Sequence, residues 1–282
     1  MKKVKIISDS TCDLSKELIL KNDIEIVPLY VNFNEDSYLD GVNLNVEQMY
    51  ELVSSKKVLP KTAAPSPGAF VEVFQKYLDL GCEIIYMGIG SKFSATFTSA
   101  NVAKQTLESD DIYLVDSLNL SSGTGLLVLK AARMAEQGLS AKEIKEEVEK
   151  IVPKVRSQFV IDTLEYLYKG GRLNALSALF GGMLRIKPII KVRDGVMAVG
   201  KKGRGTIKNG IDLMLNEVFQ EKDEIDDEFM MITHSLADIS SEYIKTRIND
   251  EINIKNLYET PAGCVISSHC GKGTIGVLYI LK

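Results

Sequence analysis

Tryptophan is absent from the sequence, and histidine occurs only as His234 and His269. Any imidazole chemistry must therefore use one of those two positions. The four cysteines (Cys12, Cys82, Cys264 and Cys270) are scattered and form no C-x-x-C pair. That spacing speaks against a zinc framework or a dithiol redox centre, and reduced thiols in a cytoplasmic protein are expected. No apolar run approaches the ~20 residues of a membrane span. The stretch 1–10 carries Lys2 and Lys3 before an apolar run too short for a signal peptide. Positive charge is not in excess: 34 Lys and Arg face 38 Asp and Glu, a net charge of −4. No basic stripe with interleaved aromatics is present, so a nucleic-acid partner is not expected.

What is present is alternation. A chain of 282 residues suits two domains, and we divide it at residues 1–155 and 156–282. In the first part, short apolar runs at 4–7, 24–33, 84–87 and 112–115 read as strands. Pro28 marks the second as an edge or bulged strand. Helical patterns lie between and after them, and Ser10-x-x-Asp13 fits a capping box for the first. Strands alternating with helices predict a doubly wound parallel α/β/α sheet, with ligands beyond the carboxyl ends of its strands. Ser8–Thr11, Ser91–Thr96 and Asp116-Ser117 all lie at such ends.

The second part reads as an α/β unit with a mixed sheet and helices on one side. Arg193-Asp194-Gly195 is a hairpin signal. Three closing strands are expected near 253–258, 263–267 and 275–281. Residues 173–184, apolar nearly all round, read as a core helix. Gly181-Gly182 within it would let another group approach closely.

Individual positions carry two readings each. Ser94 and Thr96, after the glycines of the third strand, either cap the next helix or help its N-terminus bind an anion. Thr62 precedes the Ser66-Pro67 helix start and is either a plain loop threonine or a ligand contact. Arg172 is a surface arginine or a fork for a carboxylate or phosphate. His269 is a satisfied structural imidazole or a ligand-facing one, whereas His234 reads as structural. Cys264, His269 and Cys270 have the wrong spacing for a four-ligand metal site. The Lys272 stretch fails as a phosphate loop, because Gly273 stands where a hydroxyl is needed. Ser94 as nucleophile with His269 as base would make a stand-alone transferase or hydrolase, but no third residue is evident to orient the imidazole. Lys201, Lys202, Arg204 and Lys208 form either a docking patch or a solvated face.

Taken in order, the motifs resemble those of the DegV family of bacterial fatty-acid-binding proteins. They are Asp9-Ser10-Thr11-Cys12-Asp13-Leu14, Lys61-Thr62-Ala63-Ala64-Pro65-Ser66 and Gly90-Ser91-Lys92-Phe93-Ser94-Ala95-Thr96. Val115-Asp116-Ser117, Tyr166-Leu167-Tyr168-Lys169-Gly170-Gly171-Arg172, Lys187-Pro188-Ile189 and Ser268-His269-Cys270-Gly271-Lys272-Gly273 follow. The resemblance implies a two-domain fold with a long-chain fatty acid at the interface and its tail in an apolar tunnel. It implies that Thr62 and Ser94 hold the carboxylate, with Ala95 and Thr96 as the supporting turn. Arg172 and His269 would serve the head group and the phosphoryl-transfer neighbourhood. It further implies a carrier, not an enzyme, without cofactor or metal. Such a carrier presents its lipid to a separate ATP-dependent fatty acid kinase, whose acyl-phosphate product feeds phospholipid synthesis. Transient contact with a membrane surface is compatible with that role. Ala63 and Ala64 depart from the family pattern where polar residues are usual, Ala95 where glycine is usual and Lys272 where proline is usual.

Overall fold

The structure is a computed structural model and describes residues 2–172 and 186–282. The first half runs β1 (Val4–Asp9), α1 (Lys16–Lys21), β2 (Glu25–Val27), β3 (Tyr30–Phe33), β4 (Asp36–Leu39), α2 (Val46–Lys56) and β5 (Lys61–Ala63). It continues through α3 (Pro67–Asp79), β6 (Glu83–Gly88), α4 (Thr96–Leu107), β7 (Ile112–Asp116), α5 (Ser122–Glu136) and α6 (Ala141–Ile151). The parallel sheet has the order β2-β1-β6-β7. Its strands are near-continuous apolar runs because both faces are covered. Phe70, Phe74 and Ala100 of α3 and α4 pack on one face. Leu126, Leu129, Ile144 and Val148 of α5 and α6 pack on the other. This is the expected doubly wound arrangement.

Two local expectations fail here. Residues 24–33 are not one strand: β2 is the edge of the parallel sheet, while β3 is central in a separate sheet, β4-β3-β5. Pro28 lies in the gap, where the chain leaves one ladder for the other and needs no N–H. Ser10 and Asp13 do not form the capping box of α1. Ser15 is the N-cap, accepting from the Leu18 N–H, while Asp9 caps a short 3-10 turn over Ser10–Cys12. The Ser66 N-cap with Pro67 in the first turn of α3 is as expected.

The second half runs β8 (Val155–Val160), α7 (Glu165–Lys169), β9 (Ile186–Arg193), β10 (Val196–Arg204), α8 (Ile207–Gln220) and β11 (Ile225–His234). Then come α9 (Asp238–Glu251), β12 (Leu257–Pro261), α10 (Cys264–Cys270) and β13 (Ile275–Leu281). Its mixed sheet has the order β10-β9-β8-β13-β11-β12, with only β11 and β12 parallel. The β9–β10 turn has Asp194 and Gly195 both at positive φ, as a type I′ hairpin requires. That turn reaches the first half, where Lys92 Nζ donates to the Asp194 carbonyl at 2.9 Å.

Residues 263–267, expected as a strand, instead begin the helix α10. Helices are also not confined to one face. Met214 of α8 and Ile244 of α9 cover one side of the mixed sheet. The other side packs Phe229, Met231, Leu278 and Ile280 onto α5 from the first half. α5 is thus sandwiched between two sheets, and it is buried continuously from Ser122 to Ala132. At about 1.5–3 kcal/mol per fully buried aliphatic side chain, Leu126, Leu127, Val128 and Leu129 contribute strongly to joining the halves. Lys130, the charge on this buried face, reaches Asp226 Oδ2 at 2.7 Å and Glu228 Oε2 at 2.6 Å. The expected apolar helix at 173–184, with Gly181-Gly182, lies outside the described residues. No helix among the described residues is long and apolar enough to cross a membrane.

Candidate functional site

β5 brings Thr62 into the site. Thr62 is a strand residue opposite Val31 of β3, not a loop residue. Its hydroxyl oxygen lies 2.9 Å from Nε2 of His269 on α10. The resemblance puts both residues at one head group, but their direct contact has no signal in the sequence, where 207 positions separate them.

The other ring nitrogen of His269 faces α7. Nδ1 is buried and has no hydrogen-bond partner among the described residues. It packs so closely on Gly170 that a Cβ built there would lie 2.3 Å from it. Burial and, second, the Arg172 guanidinium hold the imidazole pKa down at about 4. The ring is therefore neutral near pH 7. An orphaned buried N–H is rarer than an under-used acceptor. The tautomer consistent with this packing has Nδ1 bare and Nε2–H donating to the Thr62 oxygen. The Thr62 proton is then free to be donated elsewhere.

Ser94 stands at the carboxyl end of β6, before α4. Its oxygen is 2.8 Å from the Thr96 hydroxyl and accepts from the Thr96 N–H at 3.3 Å. Ala95 is the N-cap residue and supplies no side-chain cap, so the Ser94 hydroxyl partly serves the first turn. Thr96 is fully buried beneath that turn. Arg172 is exposed and donates from Nη1 to the Gly170 carbonyl at 2.9 Å.

Thr62, Ser94, Arg172 and His269 line one cavity, as do Ala63, Ala64 and Ala95. Elsewhere its wall is mostly apolar, including Phe93, Leu120, Phe159, Met197, Ile266 and Leu278. Ser121, Thr233 and Ser235 also reach it, but their hydroxyls are tied to neighbours. Ser121 donates to Asp13, Thr233 bonds Thr260, and Ser235 bonds Tyr50 and Ser267. Cys270 lines the cavity with its thiol pushed up to about 12 by burial, so it is no thiolate nucleophile. Lys272 lies outside the lining, exposed in the turn after α10.

His234, read from the sequence as structural, also lines the cavity, but both its ring nitrogens are used within the protein: Nδ1 accepts from the Ala237 N–H at 3.1 Å and Nε2 contacts Glu259 at 3.2 Å. Among the described residues no group of three or more His, Cys, Asp or Glu side chains is placed to hold a metal. Lys201 and Lys208 are paired with Glu217 and Asp212, which fits a solvated face. Sequence reading missed Gly170 as a packing partner of His269. It also missed Asp40, whose Oδ1 accepts from the Cys264 N–H at the start of α10 at 2.7 Å and for which no local signal existed.

These features define an α/β protein with a parallel sheet, a mixed sheet and a mostly apolar cavity whose lining includes hydroxyl, imidazole and guanidinium groups. A family model described as "Uncharacterised protein, DegV family" matches residues 3–282, and the chain belongs to that family. A DegV domain-containing protein of Clostridium acetobutylicum is 38% identical over 282 residues, covering 100% of both chains. The solved structure of DegV, a fatty acid binding protein from Bacillus subtilis, matches with a TM-score of 0.89 at 27% identity, covering 100% of both chains. A stearic-acid-binding protein from Eubacterium ventriosum matches with a TM-score of 0.88 at 29% identity, covering 100% of this chain and 99% of that one.

Proposed function

We propose that this protein is a cytoplasmic carrier of a long-chain fatty acid. Thr62 and Ser94 hold the carboxylate, and Arg172 and His269 stand beside it. The tail lies along the apolar wall, largely within the domain we assign to residues 156–282. The observation that carries this reading is that four separated polar residues converge on a single, otherwise mostly apolar cavity. The fatty-acid-binding proteins of the same fold support it.

The energetics divide the work. About 15 buried methylenes at ~0.8 kcal/mol each gross ~12 kcal/mol. Charge-assisted hydrogen bonds add about 1.5–3 kcal/mol each. Association and chain ordering take back several kcal/mol. The tail therefore dominates affinity, and the head contacts fix orientation. Because His269 supplies the Thr62 oxygen with a donor, the Thr62 proton points to the ligand, and a carboxylate oxygen is the matching acceptor.

In this reading the protein presents its carboxylate to a separate ATP-dependent fatty acid kinase, and the acyl-phosphate formed enters phospholipid synthesis. The protein itself is not the catalyst. His269 Nε2 is engaged by Thr62 and the Ser94 hydroxyl by Thr96, an arrangement that favours ligand holding over a Ser94–His269 nucleophile–base pair. The test is reconstitution. Acyl-phosphate should form only when fatty acid, ATP, kinase and this protein are combined. Ester cleavage or ATP turnover by this protein alone would overturn the assignment.

A further inference from the structure

The helix that carries His269 is short and has no N-cap side chain of its own. Its first N–H groups are taken instead by two carboxylates from the far end of the sequence. Asp13 Oδ1 accepts from the Gly263 N–H at 2.9 Å. Asp40 Oδ1 accepts from the Cys264 N–H at 2.7 Å, and its Oδ2 from the Val265 N–H at 3.4 Å. Gly263 makes the double approach feasible. A Cβ there would lie 3.1 Å from both Asp13 Oδ1 and Asp40 Oδ2.

Both carboxylates are buried, at 4% and 3% exposure, and neither has an ion-pair partner among the described residues. Two acids in such surroundings are costly unless their lone pairs are used. Here the helix N-terminus uses them, and the helix dipole adds to the attraction. The second oxygen of Asp13 accepts from the Ser121 hydroxyl. Ser121 is a cavity-lining residue held at φ 54 just before α5. Asp13 therefore ties two cavity walls together without lining the cavity.

At 1.5 Å per residue, the step from Gly263 to His269 is about 9 Å, a lever too short to flex. One end is fixed by Asp13 and Asp40, and the other places Nε2 against Thr62. We infer that Asp13 and Asp40 are positioning residues for the head site. They grip α10 by its N-terminus and so set the His269 imidazole, and through it the Thr62 hydroxyl, in the orientation that receives a carboxylate. The ligand part of this inference rests on the fatty-acid reading; the positioning part does not.

The test has two arms. In ligand-free protein, the imidazole nitrogen–proton correlations of His269 are recorded by NMR for the wild type, Asp40→Asn, Asp40→Ala and Asp13→Asn. The wild type should show a single neutral Nε2–H tautomer, and the variants a mixed or shifted pattern. Asp40→Asn keeps the side-chain shape, so it gives a folded sample if Asp40→Ala does not. In the second arm, stearic acid affinity is measured for Asp40→Asn with His269 present and with His269→Ala. About a tenfold loss is expected in the first background and less than twofold in the second, because the effect runs through His269. An unchanged His269 pattern in the folded variants, or equal losses in both backgrounds, overturns the inference. A wild type that shows the expected NMR behaviour yet binds no fatty acid counts against the function proposed above and leaves the positioning role standing.

Discussion

The Thr62 hydroxyl and the His269 imidazole lie 2.9 Å apart, joining a strand of the first half to a helix near the end of the chain. In the tautomer with Nδ1 bare the neutral ring donates from Nε2, and the Thr62 O–H is left to donate a hydrogen bond into the cavity. Removing either partner should therefore affect the head group and leave the tail in place. Thr62→Ala or Ser94→Ala is expected to weaken fatty acid binding by about 1.5–3 kcal/mol, roughly ten- to a hundredfold, against a tail gross of ~12 kcal/mol. Phosphoryl transfer by the kinase should fall further than lipid retention. Paired measurements of retained lipid and acyl-phosphate formation check this. Loss of lipid with full turnover on added ligand would contradict it.

Gly170 offers a cleaner perturbation of the same pair. Its φ of −75° suits any residue, so alanine there adds no backbone strain. The added methyl would meet His269 Nδ1 at 2.3 Å and the Tyr166 carbonyl oxygen at 3.0 Å, and the ring must move. Gly170→Ala should lower stability by about 1–3 kcal/mol, the usual cost of overpacking, and weaken stearic acid binding roughly tenfold, which is about 1.4 kcal/mol. Calorimetric unfolding and ligand titration on one sample separate the two effects.

The His269 pKa of about 4, against an ordinary 6.5, sets a sign for pH dependence. Between these values the unfolded chain binds the proton and the folded one does not. The contribution of His269 to stability is thus whole above about pH 6.5 and is lost as pH falls toward 4. Asp9, Asp13 and Asp40 act oppositely: burial raises their folded pKa values, so their contribution is lost as pH rises through them. The difference between wild type and His269→Gln isolates the imidazole. That difference should shrink on acidification from pH 6.5 to 4 in denaturant titrations. A difference constant with pH would show that the ring titrates normally.

Asp9 anchors the carboxyl end of β6 through the backbone of Ile89, which lines the cavity. Its carboxylate is fully buried and accepts from Ile89 N–H at 2.9 Å, Tyr86 O–H at 2.9 Å and Thr11 N–H at 3.0 Å. Asp9→Ala orphans these donors and should cost roughly 2–5 kcal/mol. Chemical denaturation reads that directly, and a loss below about 1 kcal/mol would contradict the bonding described.

Much of this was legible locally. The parallel strands announce themselves as apolar runs ending in Gly, Ser and Asp, and Ser66-Pro67 marks its helix start by cap chemistry alone. Thr62, Ser94, Arg172 and His269 could be named from their motifs. The resemblance implied that they meet at one head group, but their chemistry and spacing alone did not, and the Thr62–His269 contact needed the fold. α10 shows where local reading stops. Val265 and Ile266 favour a strand, and the carboxylates that stabilise a helix there come from Asp13 and Asp40, over 200 positions away. Residues 24–33 misled for a related reason. Apolar pattern cannot tell one strand from two in different sheets, and Pro28 marked only that something changes.

The measurement that reaches the central claim most directly is mass spectrometry of the purified protein, first native and then after solvent extraction. A long-chain fatty acid bound at one per protein molecule is the predicted result, and its mass names the tail. A protein that is empty as purified and takes up no member of a fatty acid panel would contradict the carrier assignment.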